Sequence, residues 1–99
     1  MRLAIFADIH ANRQAFSACL EFARARGAER FVCLGDIVGY GADPEWAVDT
    51  AMGLVDNGAI AVIGNHDHAI GTPSETMNAE AQAAIEWTRG RLSVPQRRF

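Results

Sequence analysis

An α/β fold built on a parallel sheet is the class this sequence predicts, and three observations carry it. First, three short apolar runs recur along the chain: Leu3-Ala4-Ile5-Phe6-Ala7, Phe31-Val32-Cys33-Leu34 and Ala61-Val62-Ile63. Second, segments with apolar residues at helical spacing separate the runs, so strand and helix alternate. Third, each run ends in side chains that bind metals or move protons: Asp8-Ile9-His10, Gly35-Asp36 and Gly64-Asn65-His66-Asp67. In open α/β sheets, ligands gather outside the carboxyl ends of the strands. Topology and chemistry point to the same edge.

Residues 2–7 read as the first strand, and their near-continuous apolar character suits a parallel strand covered on both faces. Asn12 is placed to cap a helix running to about Gly27, with Ala15, Phe16, Cys19, Leu20, Phe22 and Ala23 on its inner face. Residues 31–34 form the second strand, and a glycine-bearing loop from Ile37 to Asp43 follows. Pro44 suits the first turn of a second helix, capped by Asp43, and Glu45 favours the positive end of its dipole. Trp46, Ala47, Thr50, Leu54 and Val55 give this helix an apolar stripe, and Asn57-Gly58 closes it. Residues 59–63 are the third strand. Gly71-Thr72-Pro73-Ser74 reads as a loop, and Asn78 to Arg89 as a third helix with Ala81, Ala84, Ile85 and Trp87 inward. Ser93 to Phe99 carry no evident element. The sum is a βαβαβα unit with right-handed crossovers.

The 99 residues suffice for one small domain, 1–99, and 49% hydrophobic content is ordinary for a globular chain. No apolar run approaches the roughly 20 residues of a membrane span. The formal charge of −3 argues against general nucleic-acid binding, which favours a basic face. All nine basic residues are arginines. Without lysine, a Walker A loop, a lysine-dependent phosphoaspartate site and a Schiff base are excluded. Cys19 and Cys33 lie in apolar segments and read as buried thiols in a reducing cytoplasm.

Asp8 and His10, two apart, can point to one side and grip a cation. Asp36 stands between the other two clusters in the chain, so its two oxygens can bridge two cations. Carboxylate, amide and imidazole ligands suit a borderline divalent metal. The expected cofactor is two divalent ions, manganese first, with iron, zinc or nickel as alternatives. Two such ions roughly 3.5–4 Å apart clamp the attacking and leaving oxygens of a phosphoryl displacement and activate a water. His66 is the candidate donor to the leaving oxygen, with Asp67 as its orienting carboxylate. His68 reads as a solvated loop histidine. Tyr40 can stack on a base or an aromatic leaving group, whereas Trp46 reads as core.

These three clusters resemble the first three motifs of the calcineurin-like metallophosphoesterases. Asp36-Ile37-Val38-Gly39-Tyr40-Gly41 is similar to the small bacterial and archaeal phosphodiesterase branch. The resemblance implies the first half of a four-layer αββα sandwich with a two-metal site between its sheets. It also implies roles: Asp8, His10 and Asp36 on the first metal, Asp36 and Asn65 on the second, and His66 as acid.

The family pattern continues with a further metal-binding histidine and a Gly-His-x-His motif, yet no histidine follows His68. The expectation is an incomplete domain, an N-terminal half with an exposed apolar face that a partner, a second copy or a C-terminal half would cover. Two functions follow. One is hydrolysis of phosphodiesters or phosphomonoesters in the cytoplasm; the other is an inactive half-domain that acts only by binding or assembly.

Overall fold

The computed structural model describes residues 1–72 and 77–99. Three strands, β1 (Leu3–Phe6), β2 (Arg30–Cys33) and β3 (Ile60–Ala61), form one sheet in that order. Both pairings are parallel, with Ile5 opposite Val32 and Val32 opposite Ile60. Helix α1 (Arg13–Ala25) connects β1 to β2, and α2 (Pro44–Asp56) connects β2 to β3. The α/β class and the parallel pairing are as predicted.

Local chemistry explains where the long elements start and stop. The Asn12 side chain accepts the Ala15 N–H at 3.0 Å, capping α1. At its far end Gly27 (φ +78°) reverses the chain, and Ala28 N–H reaches back to the Ala23 carbonyl at 3.0 Å. Gly58 ends α2 in the same way, with Ala59 N–H on the Leu54 carbonyl at 2.9 Å. Asp43 stands at the N-cap of α2 but makes no side-chain capping bond; Pro44 supplies the start.

Parallel strands in sequential order, joined by crossovers of the usual hand, put α1 and α2 on one face of the sheet, where the two helices touch. The core sits there. Phe6 meets Phe16 edge-on with centroids 5.5 Å apart, and Phe16 meets Trp46 at 5.9 Å. Leu20, Cys33, Ala47, Val48 and Leu54 are buried in the same layer.

The opposite face is bare. Leu3, Ile5, Ile60 and Val62 share it by register and alternation, and each is 50–63% exposed. The expected cover on both faces of β1 is therefore absent among the described residues, while the expected exposed apolar face is present. Strand β3 is also shorter than 59–63. Val62 N–H still reaches the Cys33 carbonyl at 2.9 Å, but Gly35 turns away at φ +101°, and Ile63 is left without a ladder partner. On α1, only Phe16 and Leu20 are fully buried; Ala15, Cys19 and Phe22 face solvent. The cause is the edge position of β1, which leaves α1 overhanging an open groove.

Two helices escaped the sequence reading. Helix α3 (Asn65–Gly71) includes the expected loop residue Gly71; Thr72 follows as its C-cap, and Pro73 and Ser74 lie outside the described residues. Helix α5 (Val94–Arg98) begins at a capping box in which Ser93 and Gln96 exchange side-chain bonds to each other's N–H. Between them α4 (Ala79–Arg91), capped by Asn78, buries Ala81, Ile85 and Thr88. Trp87, expected inward, is 46% exposed under the Arg91 guanidinium. Arg89 donates to the Ile70 and Ala69 carbonyls at 2.6 and 2.9 Å, tying α4 to the end of α3. No helix of the described residues is long and apolar enough to cross a membrane.

Candidate metal centre

The three polar clusters meet at the carboxyl edge of the sheet because the segments leaving β1 and β2 run side by side. Asp8 N–H donates to the Gly35 carbonyl (3.3 Å), His10 N–H to Asp36 (2.8 Å) and Ala11 N–H to Ile37 (2.7 Å). Asp8, His10 and Asp36 all adopt left-handed backbone, with φ of 55°, 48° and 54°. That conformation is uncommon for residues with a Cβ, and here it turns three ligand-type side chains toward one another. One ligating atom from each lies within 4.8 Å of the others.

The chemistry of this trio fits a divalent cation. His10 Nδ1 lies 3.1 Å from the Val38 carbonyl. A carbonyl only accepts, so Nδ1 carries a proton, and in the neutral form of the ring the Nε2 lone pair is the one free to ligate. Nε2 faces Asp8 Oδ1 at 3.9 Å. Asp36 Oδ1 accepts the His66 N–H at 2.9 Å, which fixes its carboxylate against the start of α3. Gly64 permits that approach: a Cβ there would overlap the Asp36 carboxylate and its backbone nitrogen.

His66 borders the trio, its ring 4.9 Å from that of His10 and nearly perpendicular. It is buried, and its Nδ1 has no hydrogen-bond partner among the described residues. A buried ring nitrogen without a partner is unusual for a purely structural histidine. Asn65 opens α3 and is exposed, adjacent in the chain to Gly64 and His66, which both bear on Asp36. His68 is exposed as expected, though on a helix rather than a loop.

Asp67 does not orient His66, and the reason is plain in its bonds. One oxygen accepts the Ile37 and Val38 N–H groups at 2.9 and 3.1 Å, and the other accepts Gly64 N–H at 3.1 Å. The carboxylate is a clasp that joins the segment after β2 to the segment after β3. Burial pushes its pKa above the ordinary 3.8, and Asp36 nearby adds to the rise, against the lowering effect of the three N–H bonds.

Sequence reasoning missed two parts of this site. The Val38 carbonyl that sets the His10 tautomer has no signature, because every residue carries a carbonyl. The clasp had a trace in the Gly64-x-x-Asp67 spacing, which matches an N-cap and its N3 acid.

A parallel α/β sheet thus gathers two aspartates and a histidine at its carboxyl edge, a set of donors that could hold a divalent cation. The pattern of the calcineurin-like phosphoesterases matches residues 1–93. The chain belongs to that family. It is 39% identical over 89 residues to an uncharacterised protein of Methanocaldococcus jannaschii, a match that covers 88% of this chain and 35% of the relative. It is also similar to the crystal structure of a metallophosphoesterase from Sphaerobacter thermophilus, with a TM-score of 0.78 and 40% identity. That match covers 99% of this chain and 39% of the solved one. The chain thus spans little more than a third of either relative.

Proposed function

We propose that this chain supplies half of the metal centre of a phosphoester hydrolase acting on phosphodiesters or phosphomonoesters. The convergence of Asp8, His10 and Asp36 carries the reading. These three hold a first divalent ion, with Asp36 and Asn65 offering oxygens to a second; manganese is the first choice for both. When bound, such a pair supplies Lewis acidity and an activated water. His10 is held by Val38 in the tautomer that leaves Nε2 free to ligate. Asp36 is held by the His66 N–H with its second oxygen still available. His66 turns Nδ1 inward, so Nε2 is the nitrogen that delivers a proton to the leaving oxygen. Two free thiols, Cys19 and Cys33, support a cytoplasmic setting.

The bare sheet face favours a second reading, a half-domain that acts only by binding or assembly. Hydrolysis of bis-p-nitrophenyl phosphate with added Mn²⁺, beside Mn²⁺ titration calorimetry, separates the two. Asp36→Asn is expected to remove both metal binding and hydrolysis. His66→Ala should keep most metal binding and lose about 100-fold in rate, the scale of a general acid. Hydrolysis untouched by either substitution would overturn the first reading. Metal binding without hydrolysis would leave the assembly reading in place.

A further inference from the structure

Tyr40 occupies an unusual position that the metal centre does not require. Its φ is +64°, and Gly41 N–H bonds to the Gly39 carbonyl across it at 2.8 Å. An i→i+2 bond about a residue of positive φ is a γ-turn of the rare, strained kind. The surroundings hold the strain in place. Before it, the Val38 carbonyl is bonded by His10 and the Val38 N–H by Asp67. After it, Gly41 packs so closely on the His10 carbonyl that no Cβ would fit, and Asp43 N–H bonds to the Ala11 carbonyl at 3.1 Å. Strain that neighbouring structure over-determines concentrates where a side chain must be aimed.

The aim is at the two histidines. The Tyr40 ring lies 5.4 Å from the His10 ring and 5.0 Å from the His66 ring, yet the residue is 56% exposed. Gly39 serves the same arrangement from below, since a Cβ there would stand 2.7 Å from His66 Nδ1. The result is an exposed aromatic surface at the rim of the site, beside the histidine assigned to the leaving group.

We propose that Tyr40 is a specificity-determining residue that stacks on a planar aromatic group, a nucleobase or an aryl ring, carried by the phosphoester. The inference rests on the phosphoester reading above and adds the class of substrate to it. Stacking on an exposed aromatic is sequence-tolerant, because every base presents a π-face. The site therefore favours aromatic esters as a class over sugar or alkyl esters.

Binding of adenosine monophosphate and of ribose 5-phosphate, each with Zn²⁺, tests this without any need for turnover. Tyr40 is the sole tyrosine of the chain, so ring-labelled tyrosine gives one assignable NMR signal set. The nucleotide should bind about tenfold tighter than the sugar phosphate and move the Tyr40 ring signals upfield, while the sugar phosphate leaves them in place. Tyr40→Phe should keep the preference. Tyr40→Asn should lose it, and asparagine tolerates the left-handed backbone, so the loop is kept. Equal affinities in the parent chain, or a preference that survives Tyr40→Asn, would overturn stacking and leave the phosphoester reading standing. Absence of Zn²⁺-dependent binding of both ligands would overturn the two together.

Discussion

Asp67→Asn separates a clasp from a catalytic partner. In the native chain three N–H groups converge on the Asp67 carboxylate, two on Oδ1 and one on Oδ2. An asparagine keeps one carbonyl oxygen, which can serve Ile37 and Val38. Its amide group then faces the Gly64 N–H, donor against donor, and that N–H is stranded. A stranded buried donor costs about 1–3 kcal/mol, and the partial solvent access here points to the lower half of that range. Asp67→Ala strands all three and should cost more. Urea unfolding followed by circular dichroism measures both. The pH dependence adds a sign. Because the folded pKa is raised above 3.8, the folded state holds the Asp67 proton more tightly than the unfolded chain. This group's linkage contribution is full below about pH 4 and is lost as pH rises through the folded value. The stability gap between the native chain and Asp67→Asn should therefore narrow from acid toward neutral pH. A change under about 0.5 kcal/mol, the range of an ordinary surface substitution, would refute the clasp. It would return Asp67 to a role beside His66.

Other measurements probe the rest of the chain. Cys33 is buried, and burial followed by the nearby Asp67 charge pushes its thiol above the ordinary 9.0, whereas Cys19 is exposed. A thiol reagent at pH 7 should label Cys19 at once and Cys33 only on unfolding; equal rates would contradict the core placement. The Arg91 hydrogen bond holds the Glu45 carboxyl below 4.5, so its contribution is present above that pH and lost as pH falls through the folded value. Glu45→Gln should differ from the native chain at pH 7 and converge with it in acid or high salt, and a pH-independent difference would deny the pairing. The bare face should bind a hydrophobic dye or a second copy. Ile5→Thr with Val62→Thr, both β-branched replacements at exposed positions, should reduce dye binding and self-association and leave the urea midpoint nearly unchanged. Unchanged association would place the contact elsewhere.

The parts of the fold legible in the sequence were those set by local chemistry. Asn12 and Asn78 cap helices because a short side-chain acceptor meets a nearby N–H, and that relation spans only three residues. Asp8, His10 and Asp36 were legible because strand ends deliver them to one edge whatever the details of packing. Helix α3 was hidden because Gly64-Asn65-His66-Asp67 has the composition of a turn. What makes it helical is a clasp to residues thirty positions earlier, where Asp67 holds Ile37. Helix α5 was within reach: Ser93, Pro95 and Gln96 spell a capping box with an early proline. The cover expected on both faces of β1 was misread from that strand alone, since an apolar strand looks the same whether its cover lies in the chain or not; the exposed apolar face was legible from the family pattern.

The same long-range bonds explain how the site carries its strain. Among the described residues five non-glycines have positive φ: Asp8, His10, Ala11, Asp36 and Tyr40. All lie in the segments leaving β1 and β2. At about 1 kcal/mol or more apiece, this is a sizeable fraction of the stability of a small domain. No local preference would place them there, so the offset comes from what joins the segments. That is the run of backbone bonds from Asp8, His10 and Ala11 to Gly35, Asp36 and Ile37, closed from the far side by Asp67. The ligand trio is therefore shaped by the protein's own backbone, and a cation arriving there meets donors already turned inward. Preorganisation of this kind reduces the ordering cost of binding. It also places the control of the site in Asp67 and Gly64, residues that need touch neither metal nor substrate.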